Sequence, residues 1–248
     1  MSTTSLIRDI SFAGKWLSDF GVLPDFSKAF NTPEYSVSSE SIPGRNGNLL
    51  RGENRFENKR LTIPCLIKKN FKRNFDDLVD FLTSSSGTYQ RLEITAKPGV
   101  YRMAAFYTAI NPETGPFLRW GKFDLVFDCM PQQFLKVGEN KIDYSDAIVT
   151  SLMNPTLKPS RPLLIVEPTT NDGTITINAQ VIRIRANNYR FYIDCELMHA
   201  YRLNTNNEAV SMDAYVTMPD DYVQLMPGEN RISTNDAAMA IVPRWWRL

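Results

Sequence analysis

The sequence predicts a mainly β protein, in which an α+β domain precedes an all-β domain. Apolar and polar residues alternate along many short stretches, as they do in half-buried strands. Turn-forming residues separate these stretches at the short intervals typical of antiparallel β-sandwiches. One stretch has a helical period, so the predicted order is strands, a single helix, and then strands to the end.

The length of 248 residues is enough for two domains, each with its own core. The alternating pattern breaks between Met130 and Glu139, where proline, glycine and glutamine replace it. We therefore predict an amino-terminal domain over 1–135 and a carboxy-terminal domain over 136–248. The first is expected to be an antiparallel β-sandwich whose helix covers one opening or face.

The chain begins with a predicted strand, turn and short strand between Ser5 and Val22, with the turn at Ala13-Gly14-Lys15. A connecting loop over 24–33 follows. Tyr35–Ile42 and Arg60–Ile67 then have strand-like patterns, and a polar segment rich in Gly, Asn and Pro joins them. Two tight bends close together predict a shaped hairpin arm that grips a neighbouring chain. An ordinary solvated hairpin loop is the alternative.

The helix is predicted over Phe71–Thr83, because apolar residues there recur on one stripe of a 3.6-residue period. Asn70 or Asn74 is the candidate cap, and Ser84–Gly87 supplies the stop. Lysines and arginines just ahead of the helix carboxylates form either an anion-contacting patch or a solvated, mutually paired face. Basic and acidic runs side by side favour the second interpretation.

Strands resume after the helix and continue to the end of the chain. Those predicted for the first domain are Tyr89–Thr95, Val100–Ile110 and Phe117–Cys129. Those predicted for the second are Pro162–Val166, Thr174–Asn178, Val181–Arg185, Tyr189–Asp194, His199–Leu203, Ala209–Val216, Tyr222–Met226 and Ala237–Pro243, with a turn at Pro227–Asn230. This arrangement indicates a second β-sandwich.

Composition argues against several classes of function. Lys and Arg total 28 against 27 for Asp and Glu, so no global field attracts nucleic acid or an anionic membrane. No apolar run reaches the roughly 18 residues of a membrane span. The amino terminus lacks the pattern of a secretory signal, so we expect a soluble protein made in a cytoplasm.

The residue types of catalysis and metal binding are scattered. Cys65, Cys129 and Cys195 lie far apart in apolar contexts and are expected to be buried hydrophobes, not zinc ligands. His199 lies in a predicted strand, where a lone histidine is packed or exposed more often than catalytic. The aspartates at 143, 146, 172, 220 and 221 lie in polar turns. We therefore predict no enzyme activity, no cofactor and no metal site.

Several motifs, taken in order, resemble the distal tail protein (Dit) family of long-tailed, non-contractile bacteriophages. The resemblance covers nearly the whole chain. It is carried by Phe12-Ala13-Gly14 with Ser18-Asp19-Phe20-Gly21, by Ser41–Gly47, by the helix and the strand after it, by Pro227–Asn230, and by Pro243–Arg247.

The resemblance implies a structural virion component at the tail tip or baseplate. Its amino-terminal domain would close a homo-hexameric ring through the arm, and its carboxy-terminal domain would be a galectin-like β-sandwich. Ring contacts would fall on Ile42, Gly44, Arg45, Asn46, Gly47 and Leu49. A closed ring built head-to-tail needs a presenting patch and a receiving patch on each copy.

The resemblance also implies partners. The ring would join the major tail tube protein to the tail-associated tip protein, lie near the tape-measure protein, and serve as a hub for receptor-binding proteins. DNA would pass through it without specific binding, which agrees with the near-neutral charge. No membrane contact is expected.

The carboxy-terminal tryptophans and the class of function each allow more than one interpretation. Trp245 and Trp246 are either a partner-contacting hot spot or aromatics that close the sandwich core, and we favour the core. The alternative functions are a carbohydrate-binding protein of the tail tip, acting on host cell-wall polysaccharide through the second sandwich, and a cell-wall hydrolase. The scattered catalytic residue types argue against the hydrolase.

Overall fold

A computed structural model of the chain describes residues 8–144, 149–221 and 223–248. The predicted strand start at Ser5, Asp146 and the strand start at Tyr222 lie outside the described residues. The chain forms two compact units, Met1–Gln133 with Leu248, and Phe134–Arg247. The mainly β class, with a single α-helix among the described residues, is confirmed.

Most strands of the first unit belong to one antiparallel sheet, in the order β2-β1-β7-β8-β10-β6-β3, with β9 paired to β10. A separate two-stranded sheet contains β4 and β5. The elements are β1 (Ile10–Phe12), β2 (Lys15–Trp16), β3 (Val22–Pro24), β4 (Tyr35–Glu40), β5 (Leu49–Phe56), β6 (Lys59–Ile67), α1 (Phe71–Thr83), β7 (Gln90–Ile94), β8 (Val100–Ala105), β9 (Glu113–Thr114) and β10 (Gly121–Cys129). Strand β11 (Gln133–Leu135) begins at the last residue of the unit's continuous segment.

The longest ladder of the first unit joins β6 to β10, from Lys59 opposite Cys129 to Ile67 opposite Gly121. Alternate residues of both strands point into the core, because successive side chains of a strand face opposite sides. The core side of β6 carries Leu61, Ile63, Cys65 and Ile67, and that of β10 carries Phe123, Leu125, Phe127 and Cys129. The opposite side of this ladder remains partly exposed.

The helix α1 spans the predicted residues, and Phe71, Leu78 and Leu82 are its buried residues. Neither predicted cap makes the expected bond. Asn70 occupies the cap position with φ of 51°, a left-handed conformation from which its side chain makes no capping hydrogen bond. The side chain of Asn74 donates instead to the Lys69 carbonyl at 3.3 Å. Arg73 lies 3.8 Å from Asp77, as expected for a paired, solvated face.

Three predicted boundaries in this unit are wrong. The second limb of the arm is β5 and not Arg60–Ile67, which belongs to β6 in the main sheet. The strand from Val100 ends at Ala105 and not at Ile110. The last strand begins at Gly121, because Phe117 and Leu118 have φ of 56° and 53° in a short 3-10 turn that no strand accommodates.

The base of the arm is fixed by a buried lysine. Lys59 is 5% exposed, and its Nζ donates to the backbone oxygen and the Oδ1 of Asn31 at 2.6 and 2.9 Å. The Asn31 side chain donates in turn to the Arg60 carbonyl at 2.7 Å. Burial, with Arg102 and Lys97 adding to it and Cys129 opposing, lowers the pKa of Lys59 to about 8. The chain before the arm is thereby joined to the strand after it.

The second unit is a sandwich of two antiparallel sheets, ordered β12-β22-β14-β17-β18-β19 and β13-β21-β15-β16-β20. Isoleucine, leucine, valine and phenylalanine side chains from both sheets share one core. The strands are β12 (Ile142–Tyr144), β13 (Thr150–Asn154), β14 (Leu163–Val166), β15 (Gly173–Ile177), β16 (Gln180–Ile184), β17 (Phe191–Asp194), β18 (His199–Leu203), β19 (Ala209–Ser211), β20 (Val216–Thr217), β21 (Gly228–Asn235), β22 (Met239–Val242) and β23 (Trp246–Arg247).

The strand β21 is absent from the sequence prediction, which has only a turn at its start. Its inward residues are Asn230, Ile232 and Thr234, so two of the three core-facing positions are polar and hide the alternation. Asn230 is fully buried and donates to the carbonyls of Leu152, Met226 and Gly228. Its Oδ1 accepts from the Met226 backbone nitrogen at 2.6 Å. At this core position the Asn230 side chain is therefore stabilised by hydrogen bonds, where other core residues are stabilised by apolar packing.

We expect the stability of the first unit to depend on Lys59 in alkaline solution. Between pH about 8 and 10.5 the unfolded state holds the Lys59 proton and the folded state does not, so stability rises with pH. The urea midpoint of wild type, relative to that of Lys59→Met, is expected to rise from about pH 8 to about pH 10. Parallel pH responses of the two proteins would contradict this.

We expect Asn230→Leu to destabilise the second unit by more than about 2 kcal/mol, because buried backbone groups lose their hydrogen-bond partners while the branching of the side chain is kept. Urea unfolding measures the change. Asn206→Leu, in an exposed turn, is the matched control and should change the free energy of unfolding by less than about 0.5 kcal/mol. Equal effects of the two substitutions would refute the role given to Asn230.

Candidate functional site

The candidate functional site is the hairpin arm formed by β4 and β5. The two strands pair from Tyr35 opposite Phe56 to Glu40 opposite Leu49, with an irregularity between Tyr35 and Val37. Among the described residues they pair with each other and with no further strand. Every side chain described between 30 and 58 is exposed or half-exposed, so the arm has no core of its own.

One face of the arm is apolar. Tyr35, Val37, Leu50 and Phe56 share this face, since cross-strand partners and every second residue point the same way. The Tyr35 and Phe56 rings lie 5.0 Å apart, edge to face. The face is open to solvent, with Val37 43% and Leu50 68% exposed. A Cβ at position 52 would lie 2.8 Å from the Tyr35 hydroxyl oxygen, so a larger residue there would displace the Tyr35 side chain.

The other face of the arm is charged and internally paired. The Glu53 carboxylate accepts from Ser36 Oγ at 2.6 Å and from Arg55 Nε at 3.1 Å. These bonds, that from Ser36 first, lower the pKa of Glu53. Arg51 lies 3.8 Å from Glu40. Such exposed pairs contribute little energy to folding, so this face of the arm is polar and solvated.

The tip of the arm, defined here as residues 41–50, contains all six residues predicted as ring contacts. Ile42 accepts the Arg45 backbone N–H across Pro43-Gly44 at 3.2 Å, and Gly44 has φ of 79°, as a type II turn requires. Gly47 has φ of 83°. Asn46 is exposed and Leu49 is half-exposed. The tip therefore contains one hydrogen-bonded turn at Pro43-Gly44, followed by a bend at Asn46-Gly47.

A two-stranded arm of this kind is suited to contact with another protein chain. An isolated two-stranded ribbon is marginally stable in water, and open strand edges tend to pair with another chain. Leu50 is not among the residues predicted from the sequence, because the second strand of the arm was placed at Arg60–Ile67. The sequence does contain a pattern that indicates it, since the apolar pair Leu49 and Leu50 follows the Asn-Gly bend.

The residues considered for catalysis have structural surroundings. The three cysteines are buried and unpaired, and burial raises the pKa of each thiol to about 12, which keeps the thiols protonated. Within residues 8–144, 149–221 and 223–248, no group of three or more His, Cys, Asp or Glu residues could bind a metal ion. In the same ranges, no helix has the length and apolar character needed to cross a bilayer.

His199 belongs to an aromatic row on the second unit. Its Nδ1 lies 2.8 Å from Asp213 Oδ2, and its ring stacks at 6.0 Å on Tyr201, which stacks at 5.4 Å on the cross-strand Tyr192. Sugar binding by aromatic residues uses an open ring face. In this row Tyr201 contacts both neighbouring rings, and its contact with Tyr192 supports the pairing of β17 with β18.

The carboxy-terminal tryptophans have different positions. Trp245 is 4% exposed and belongs to the sandwich core. Trp246 is half-buried, and its Nε1 donates to the Pro159 carbonyl at 2.9 Å. The preceding Arg244 makes two hydrogen bonds, at 2.9 and 2.8 Å, to the buried Asp194 carboxylate. Burial disfavours ionisation of Asp194, but the bonds and charge of Arg244 outweigh it and lower its pKa.

The fold of this chain is that of bacteriophage baseplate and tail-hub proteins. Dit of phage SPP1, described as a paradigm of the hub adsorption apparatus in phages that infect Gram-positive bacteria, matches with a TM-score of 0.75. That match covers 98% of this chain and 100% of the other at 12% identity. Two structures of the phage p2 baseplate, in an activated conformation with calcium or strontium, match with TM-scores of 0.54 and 0.55.

The baseplate matches cover 95% and 98% of this chain at 9% and 10% identity. At this identity the similarity is one of fold, and at that level it confirms the resemblance predicted from the sequence. No protein-family model and no curated protein matches the sequence.

We expect the apolar face of the arm to contribute little to folding. Val37→Ser with Leu50→Ser should change the free energy of unfolding by less than about 0.5 kcal/mol per site, because both side chains are already in water. Ile63→Ala, in the core, should cost about 2–5 kcal/mol. Urea unfolding of dilute protein compares them, and a large loss for the arm variant would show that the arm packs on its own chain.

Proposed function

We propose that this protein is a structural component of a bacteriophage tail, acting as a hub at the tail tip or baseplate. Two findings support the proposal. The fold matches tail-hub proteins over almost the entire chain. The exposed arm is the observation that carries it, because a solvent-exposed hairpin with an apolar face is stabilised by a second chain.

The proposed assembly is a homo-hexameric ring in which each arm contacts the next copy. Contacts between a presenting and a receiving patch close into a ring when the rotation between copies divides a full turn. The arm tip, with Ile42, Gly44, Arg45, Asn46, Gly47 and Leu49, is the presenting patch. The Phe134–Arg247 unit, proposed to be galectin-like, is left to bind other tail proteins.

In the virion, the ring would lie between the tail tube and the tail tip. Its proposed partners are the major tail tube protein, the tail-associated tip protein, the tape-measure protein and receptor-binding proteins. DNA would cross the ring without being held, since a formal net charge of +1 provides little counterion release. The role is structural, with neither catalysis nor a cofactor.

Deletion of the arm is expected to abolish the ring and preserve the fold. The ends of the hairpin are adjacent, because Glu57 N–H donates to the Glu34 carbonyl at 2.9 Å. Residues 35–56 can therefore be replaced by a short Gly-Ser linker without displacing the sheet. We expect wild type to have a native mass of six times 28.3 kDa. The deletion variant should be a monomer whose far-UV circular dichroism still has the shape of a β protein.

The control keeps the arm and changes an exposed turn of the second unit, as Asn206→Ser, and should retain the wild-type mass. Light scattering over a concentration series gives the mass of each protein. A wild-type monomer at high concentration would count against the ring. A deletion variant that still forms hexamers would remove the arm from the proposal.

A further inference from the structure

The outer side of the β6–β10 ladder forms a groove with the edge strand β3. Leu23 pairs with Leu66, and Asp124 pairs with Pro64, so these side chains share one face of the sheet. Leu23 is 44% exposed, and Pro64, Leu66 and Val126 are half-exposed. The groove has a volume of about 610 Å³. We call it the β3–β6–β10 groove.

The groove is lined by both apolar and acidic side chains. Carboxylates of Asp25, Glu113 and Asp124 line it, against the single lining cation Lys122. Lys122 stands opposite Glu113 in the pairing of β9 with β10, and its ammonium lies 5.9 Å from the centre of the Trp120 ring. Among the described residues, neither Glu113 nor Asp124 is in an ion pair. The groove therefore suits a segment that combines apolar side chains with a positive charge.

The arm tip has this composition. Arg45 is its single charged residue, is exposed, and has no ion pair among the described residues. Ile42, Pro43 and Leu50 are apolar and exposed around it. The shaft of the arm differs, since its arginines are already paired with neighbouring glutamates. The unpaired cation and the unpaired carboxylates thus lie on two separate surfaces of the same unit.

The positions of the two surfaces suit contact between copies. The arm joins β6 at Lys59, whereas the groove lies around Pro64 and Leu66, five to seven residues further along that strand. At about 3.3 Å per residue this separation is roughly 17–23 Å. Separate presenting and receiving patches are what a head-to-tail ring contact requires, because one self-complementary patch would give a closed dimer.

We propose that the arm tip of one copy docks in the β3–β6–β10 groove of the next copy, with Arg45 facing Asp124 and Glu113. The inference rests on the proposed ring and identifies its receiving surface. Burial of Ile42 and Leu50 against Pro64 and Leu66 supplies the apolar contact, and the charges fix the register.

Charge reversal tests the pairing. Arg45→Glu and Asp124→Arg are each expected to raise the concentration at which the ring dissociates by about 10-fold or more, because like charges then face each other. The double variant should return it to within about 3-fold of wild type. Arg45→Glu with Asp77→Arg, on the exposed face of α1, is the matched control and should show no recovery. Analytical ultracentrifugation measures all five proteins.

A crosslink tests proximity independently. Ile42→Cys and Leu23→Cys place thiols on the tip and on the exposed edge of the groove, and the three native thiols are buried. A short bis-maleimide should convert the double variant, but neither single variant, into covalent multimers.

The outcomes separate the two proposals. A wild-type monomer would overturn the proposed ring and the docking site with it. A wild-type ring, with no recovery in the charge-swapped pair and no crosslink, would overturn the docking site and leave the ring intact. Recovery specific to Asp124, together with the crosslink, supports the β3–β6–β10 groove as the receiving surface.

Discussion

The pairing of β6 with β10 is the constraint on which the first unit depends. Its nine paired positions fix which side chains of both strands enter the core and which face outward. A slip of one residue would move Ile63 and Leu125 into water and Pro64 and Asp124 into the core. The same ladder positions the base of the arm at Lys59 and presents the groove on its outer side. Core, arm and groove are therefore consequences of one register.

The arm contributes little to the stability of its own chain, because its side chains are exposed to solvent. Its charged face is internally satisfied by Glu53 with Ser36 and Arg55, so this face gains little from a partner. On its apolar face and at its tip, the side chains of Val37, Leu50 and Arg45 are exposed to solvent. Burial of the two apolar side chains, or pairing of the arginine, would lower the free energy. The arm is therefore better suited to contact with another chain than to packing on its own. This follows from which of its groups already have partners, and not from its total hydrophobicity.

Some elements could be predicted from the sequence and others could not, for physical reasons. The helix has a strong period, so Phe71–Thr83 was predicted at both ends. The arm was predicted as a hairpin, but its second limb was misplaced, because Arg60–Ile67 alternates more clearly than β5. The strand β21 was missed because Asn230 fills a core position with hydrogen bonds, a substitute that hydrophobic patterning does not detect. The groove was not predictable at all, since it depends on which strands are neighbours.

Low identity with the matched structures agrees with this account. Folding requires alternation and turn geometry at each strand, and many residue choices satisfy those demands. Ring closure adds a stricter demand, because a closed ring of identical copies has as many contacts as copies. In a six-membered ring, a change of about 1 kcal/mol at one contact becomes about 6 kcal/mol for the assembly, or some four orders of magnitude in its equilibrium constant. In the proposed ring, Arg45 and Asp124 would therefore matter far more to assembly than to folding.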